Sequence, residues 1–226
     1  MSSSSQKELA ILILAGGQSR RFGREKWSFE VNDKPLLLYQ IETLEKFDED
    51  IFLSVNSQNQ IYNLKEKIKF PKEVNFIEDD RELFPYPELF TPLLGIYSGV
   101  KKLNNLDFKK VFVISGDAPL IDSDVIKYMI KQSEGFDLTI PRWENAYLES
   151  MFAIYPVKET YHKAKEILKE KEHYGLNKLI EESWKINYIS VEKQLRPLDP
   201  NLFSLFNVNS PIDIEKLKEL FKEKQF

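Results

Sequence analysis

The 226-residue sequence predicts an α/β fold in three layers, a mostly parallel sheet between helices. Two observations carry that prediction. Short runs that are apolar on both faces recur at residues 9–15 (LAILILA), 51–55 (IFLSV), 74–77 (VNFI) and 111–114 (VFVI). Strands buried in a parallel sheet have this character. Between the runs lie segments with helical spacing, so strand and helix alternate as in successive βαβ units.

Each intervening segment has its own signal. Residues 35–47 place Leu36, Tyr39, Ile41 and Leu44 at near-helical spacing, with Pro35 early, where a helix tolerates it. Residues 61–68 form a shorter candidate. Residues 91–103 read as a helix with Thr91 as N-cap and Pro92 in the first turn. Asp122 or Ser123 caps another, ending near Lys131. The second half adds strands at 136–141, 150–156 and 186–191, and a charged helix over 157–172. A short helix over 176–182 and a closing helix over 211–224 complete the pattern. The charged helix presents Glu–Lys pairs to solvent, each of small value. The proline-rich stretch 84–92 (FPYPELFTP) is short and aromatic and reads as an ordered loop. No repeat or linker interrupts the chain. One domain over 1–226 is expected, with residues 1–7 as a polar tail.

Composition narrows the function. A formal net charge of −4 argues against a dedicated nucleic-acid binder while leaving room for a local positive pocket. With no cysteine there is no disulfide, thiolate zinc site or iron–sulfur cluster. His162 and His173 both sit in a Lys- and Glu-rich stretch, which argues against a His-based metal site or a Ser/His triad. The run 9–15 is too short for a signal-peptide core or a membrane span, so a cytoplasmic protein without membrane contact is expected.

The residues with chemical promise cluster at strand ends. Leu14 and Ala15 lead from a buried strand into Gly16-Gly17, where the missing Cβ atoms let backbone approach a ligand and the amides form an anion site. Arg20, Arg21, Arg24 and Lys26 then supply charge suited to polyphosphate. Five residues separate Gly17 from Gly23, so this is neither the ATPase P-loop nor a dinucleotide GxGxxG turn. The alternative is a plain strand-ending turn followed by solvated arginines. Asp117 follows residues 111–116 (VFVISG), and Ala118-Pro119 turn the chain away. Ligands of open α/β sheets bind at the carboxyl edge, so Asp117 and the glycine turn should face one cleft. A carboxylate there can hold Mg²⁺, which takes few protein ligands. Its alternative role is capping, for which Asp122 and Ser123 are better placed.

Asn56 and Asp79 end two further strands at the same edge and could meet base or ribose, since guanine offers N–H donors to a carboxylate or amide oxygen. Turn formation is their alternative role. Asp80 leaves that register open by one residue. Asn207 and Asn209 precede the closing helix as turn or capping residues, with Ser210 the better cap.

The pattern Leu14-Ala15-Gly16-Gly17-x-Ser19-x-Arg21-x-Gly23-x-x-Lys26 resembles the signature of nucleotidyltransferases that activate a phosphorylated acceptor with a nucleoside triphosphate. It is most similar to the molybdenum cofactor guanylyltransferases. Asn32-Asp33-Lys34-Pro35-Leu36 resembles that family's GKPL segment, Thr91-Pro92-Leu93-Leu94-Gly95-Ile96 its GPLAGI, and Asn207-Val208-Asn209-Ser210-Pro211-Ile212-Asp213 its NVNTPED. Residues 8 to 220 are covered. Three departures stand out: Asp33 for glycine, Gly116 for the cysteine before the aspartate, and Ser150 for proline in an (R/H/Q)PLFALY segment near the acceptor site.

The resemblance implies a Rossmann-like nucleotidyltransferase fold and GTP:molybdopterin guanylyltransferase activity. Arg21, Lys26 and Asp117 would be catalytic, with Asp117 holding Mg²⁺. Leu14, Ala15, Gly16, Gly17, Lys26, Asn56, Asp79 and Asp117 would contact GTP, and Asn207 and Asn209 would border the acceptor. It also implies a molybdopterin-type acceptor and transient contact with proteins that supply or receive the cofactor. Two alternatives stand beside this reading. One is a CTP-using or sugar-phosphate nucleotidyltransferase, distinguished by which triphosphate releases pyrophosphate. The other is a non-catalytic nucleotide- or cofactor-binding module, against which the presence of Lys26 and Asp117 argues.

Overall fold

The computed structural model describes residues 7–17, 29–47, 49–71, 73–84, 86, 90–170 and 173–224. In chain order the elements are β1 (Lys7–Leu14), β2 (Glu30–Val31), β3 (Lys34–Pro35), α1 (Leu36–Leu44), β4 (Asp50–Val55), α2 (Gln58–Lys67), β5 (Val74–Glu78), α3 (Pro92–Asn105), β6 (Phe108–Ser115), α4 (Ser123–Gln132), β7 (Leu138–Arg142), β8 (Phe152–Pro156), α5 (Val157–Glu170), β9 (Ile186–Ser190) and α6 (Pro211–Lys224).

Seven strands form one sheet in the order β5-β4-β1-β6-β8-β7-β9. Strand periodicity makes it two-faced. Ala10 and Leu12 pack with α3 and α5 on one side, and Ile11 and Ile13 pack with α1, α2 and α4 on the other. The three-layer, mostly parallel arrangement therefore holds. From β1 the chain winds outward through β4 to β5, then returns across β1 to β6. The reversal lies between β1 and β6, the place where open sheets leave a crevice.

The exception to parallel pairing is β8. It runs antiparallel to both neighbours, with Ile114 opposite Phe152 and Thr139 opposite Ile154, and so separates β6 from β7. The segment expected as a strand from 150 enters β8 only at Phe152, because the Phe152 amide closes a turn on the Glu149 carbonyl at 2.9 Å. The short helix expected over 176–182 is a single 3-10 turn, Leu176–Leu179. Only Leu179 of its four residues is buried, too little apolar surface to hold a longer helix in place. Both expected caps are made: Thr91 Oγ1 accepts from the Leu93 amide at 3.4 Å, and Asp122 Oδ1 from the Asp124 amide at 2.7 Å.

The hairpin β2–β3 explains one departure from the family pattern. Its two-residue turn puts Asn32 at φ 52° and Asp33 at φ 58°, both left-handed. Glycine is at ease there, and Asn and Asp are the side chains that tolerate it best. The hairpin carries α1 directly behind it and packs with α6 through Val31, Leu36, Ile214, Leu217 and Phe221.

Candidate active site

At the carboxyl edge the sheet's ladder continues for one more residue. The Ala15 amide donates to Ser54 O at 2.9 Å, Asp79 N to Val55 O at 2.8 Å, and Gly116 N to Leu14 O at 2.9 Å. The turns after β1, β5 and β6 are thereby brought to one rim. Between them lies a cleft of about 380 Å³, lined by Leu14, Gly16, Gly17, Ser54, Asp79, Phe90, Thr91, Pro92, Gly95, Ser115, Asp117 and Met151. A volume of this size suits a small organic ligand.

The two glycines of the first turn serve different ends. A Cβ on Gly16 would lie 3.2 Å from both the Asn56 backbone nitrogen and Asp79 Oδ2, so a side chain there would press on its neighbours. A Cβ on Gly17 would meet no described atom within 4 Å, and Gly17 lines the cleft. Arg21 and Lys26, with the rest of the signature from Gln18 to Ser28, lie outside the described residues.

Asn56 works on this turn from behind. Its Nδ2 donates to Gly16 O at 3.3 Å, and its Oδ1 accepts from Ser57 Oγ at 2.8 Å. Gln60, reaching up from α2, donates through Nε2 to Ala15 O at 2.9 Å and accepts the Asn56 amide on Oε1 at 2.8 Å.

Neighbouring Asp79 and Asp80 have opposite fates, which settles the register between them. Asp79 lines the cleft, and Ser54 Oγ donates to its Oδ1 at 3.0 Å. Burial pushes the Asp79 carboxyl up to about 6; the Ser54 hydroxyl and Arg81 guanidinium pull downward without restoring the ordinary value. Asp80 turns the other way and pairs with Lys101, while its Oδ1 takes the Glu82 amide at 3.0 Å. Burial opposes its ionisation, but Lys101 and that amide outweigh burial and hold it below the usual range. Asp80 is scaffolding.

Helix α3 meets the cleft at its N-terminal end, where the positive pole of the helix favours an anion. Gly95 allows this approach, since a Cβ there would stand 2.9 Å from Ser54 Oγ. Across the cleft, Asp117 Oδ1 accepts from Ser115 Oγ, and the Asp117 carbonyl accepts from Val208 N at 2.8 Å. That backbone bond draws residues 207–209 to the turn. Asn207 lines a small crevice beside the cleft with Ser115, Glu149 and Met151. Asn209 is exposed, its amide bonded at 3.0 Å to Asp213, which also accepts from Ser210 Oγ at 2.8 Å. Burial raises the Glu149 carboxyl, partly offset by a 2.7 Å hydrogen bond from Trp143 Nε1.

Ser54, Ser115 and Met151 escaped sequence reasoning. For the two serines the available signal was a hydroxyl near the end of an otherwise apolar strand (IFLSV, VFVIS), which reads equally well as tolerated polarity.

Comparison with known proteins then fits this geometry to a family. The model of the MobA-like NTP transferase domain matches residues 11–186. The chain belongs to the MobA-like NTP transferase family. A relative from Pyrococcus horikoshii, described as a probable molybdenum cofactor guanylyltransferase, is 35% identical over 92% of this chain and 97% of its own length. Molybdopterin-guanine dinucleotide biosynthesis protein A from Archaeoglobus fulgidus superposes with a TM-score of 0.74 at 24% identity, covering 95% of this chain and 99% of that one. A 4-diphosphocytidyl-2C-methyl-D-erythritol synthase from Anaerococcus prevotii superposes at 0.68 with 14% identity, covering 96% and 100%. At these identities the two structures share the fold.

Family membership makes Gly116 informative. A Cβ there would stand 2.8 Å from the Leu14 carbonyl oxygen, so in this MobA-like chain β1 and β6 close up too tightly for a cysteine. No helix among the described residues is long and apolar enough to cross a membrane.

Proposed function

We propose that this protein transfers GMP from GTP to the terminal phosphate of a molybdenum–molybdopterin acceptor, releasing pyrophosphate. The observation that supports the reading best is the convergence of the Gly16-Gly17 turn, Asp79 and Asp117 on one cleft at the sheet's reversal point. Asp79 stands on the β4–β5 side, where an ionised carboxylate accepts the two neighbouring N–H donors of guanine's Watson–Crick edge. Cytosine offers that carboxylate one amino group, which makes the CTP-using reading the weaker one.

The triphosphate lies over the glycine turn, whose amides supply donors, and beside the N-terminal end of α3, whose positive pole favours an anion. Arg21 and Lys26, on the signature positions, neutralise the charge that gathers on departing pyrophosphate. Asp117 would hold the cation. A carboxylate at the edge of an open cleft fits Mg²⁺, whose shell is completed by water and phosphate oxygens. When bound, Mg²⁺ supplies charge neutralisation at the phosphates. The acceptor enters from the β6–β8 side, past Met151 and Asn207, and its ionised phosphate attacks the α-phosphorus in line with the leaving group. That nucleophile is already charged at neutral pH, so no side chain need remove a proton. Positioning and charge account for the catalysis.

The test is pyrophosphate release from purified protein with Mg²⁺, molybdenum–molybdopterin and each triphosphate in turn. Release with GTP well above CTP and ATP is expected. Equal or greater release with CTP would overturn the guanylyl assignment.

A further inference from the structure

The turn that carries Asp117 is clamped from beneath by a single side chain. Gln40, fully buried in α1, directs Nε2 at two carbonyls, Ser115 O at 2.8 Å and Ala118 O at 3.1 Å. These two groups are the shoulders on either side of Asp117. The amide's orientation is dictated, because an oxygen in that position would face two carbonyl oxygens. Both N–H bonds are therefore committed, and Oε1 is left buried without a hydrogen-bond partner among the described residues.

Gln60 offers a comparison within the same fold. Buried like Gln40, it ties one turn to the next with both ends of its amide satisfied. Gln40 sits on the apolar face of its helix, beside Leu36, Leu37, Ile41 and Leu44. An unsatisfied buried oxygen there works against stability. Positions where a chain breaks such a rule without a structural return are where function is expected. The return visible here is the fixed height of the Asp117 turn. Because Leu36 N donates to Phe29 O at 2.9 Å, the same helix is also anchored to the stretch that follows the signature loop.

We infer that Gln40 is a positioning residue for the Asp117 carboxylate, holding both shoulders of its turn so that the carboxylate meets the divalent cation of a metal–triphosphate complex. The inference rests on the reading of Asp117 as cation ligand. Partners of this kind, which orient a ligand without touching the metal, commonly change metal affinity by about 10–100-fold when lost.

The test is a titration of Mn²⁺ into the protein with GTP present, counting bound ion by electron paramagnetic resonance. The parent, Gln40→Met, Gln40→Asn and Asp117→Ala are compared, with folding checked by circular dichroism. Gln40→Met keeps the volume and removes both donors; Gln40→Asn keeps an amide too short to span the turn. For whichever folds, half-saturating Mn²⁺ should rise about tenfold or more, while GTP affinity without metal stays within about twofold. A folded Gln40 variant with parental Mn²⁺ affinity overturns the inference alone. A parent that holds Mn²⁺ no better than Asp117→Ala overturns the reading of Asp117, and the inference with it.

Discussion

The turns after β5 and β6 are built alike and behave differently. Each places an aspartate past the end of a parallel strand, and each gives that aspartate a serine hydroxyl, Ser54 for Asp79 and Ser115 for Asp117. Asp79 is walled in beneath Gly16 and Gly95, and burial pushes its carboxyl up to about 6. Asp117 stands half-buried in the cleft wall with Ser115 and Met151, which also line the crevice toward β8. The lesson is that one pairing, a serine hydroxyl on an aspartate past a strand end, supplied by the next strand for Asp79 and from within the turn for Asp117, yields two chemistries. A carboxylate set deep enough for burial to raise it suits the reading of hydrogen-bond donors. An accessible one can share a hydrated cation.

The contrast can be broken most severely at Asp117. Replacing it by Ala should lower turnover by about 10³-fold, roughly 4 kcal/mol of transition-state stabilisation, with little change in unfolding midpoint. Steady-state pyrophosphate release and thermal denaturation check the two halves.

Asp79→Asn should show the opposite balance. Ionising Asp79 in the fold costs on the order of 3 kcal/mol relative to an ordinary carboxylate. The native state binds the extra proton between the ordinary value of 3.8 and about 6, so parental stability falls as pH rises through that window. The Asn variant should lack this fall and be the more stable protein at neutral pH in denaturant titrations. It should also bind GTP more weakly, because one of two guanine donors would face an NH₂ group. In the parent, GTP affinity should decline as pH drops through about 6, where the accepting carboxylate is protonated.

A third substitution probes the backbone on the β6 side. Gly116→Ala places a Cβ against the Leu14 carbonyl oxygen and should cost about 1–3 kcal/mol in stability, read from the denaturation midpoint. The smallest effect belongs to Ser54→Ala. Losing the hydroxyl that favours ionisation should move the pH midpoint of GTP binding upward by about half a unit to one unit. An unchanged midpoint would mean that the hydroxyl has no part in setting Asp79.

Much of the site was legible because its parts are local. A Gly-Gly after an apolar run, an aspartate after VFVISG, and the Thr91 and Asp122 caps are read within a few residues. What escaped depends on residues far apart in the chain. Gln40 meets Ser115 across 75 positions, and Gln60 meets Ala15 across 45. Helical spacing puts Gln40 on the apolar face of α1, but no local pattern says which backbone groups either amide meets. Asp79 and Asp80 were indistinguishable for the same reason: Lys101 and Ser54, which separate them, arrive from α3 and β4.

By itself, then, the sequence determined the alternation of buried strands and helices, the Gly-Gly turn after β1 and the strand-end position of Asp117. Each follows from periodicity, propensity or a missing Cβ, which act over one or two turns of chain. Only the tertiary structure decided that β8 runs antiparallel between β6 and β7, and which aspartate faces the cleft. It also decided why Gly116 must lack a side chain and where Gln40 places its amide. Those outcomes depend on strand pairing and on the distance between packed backbones, for which no single segment carries the information.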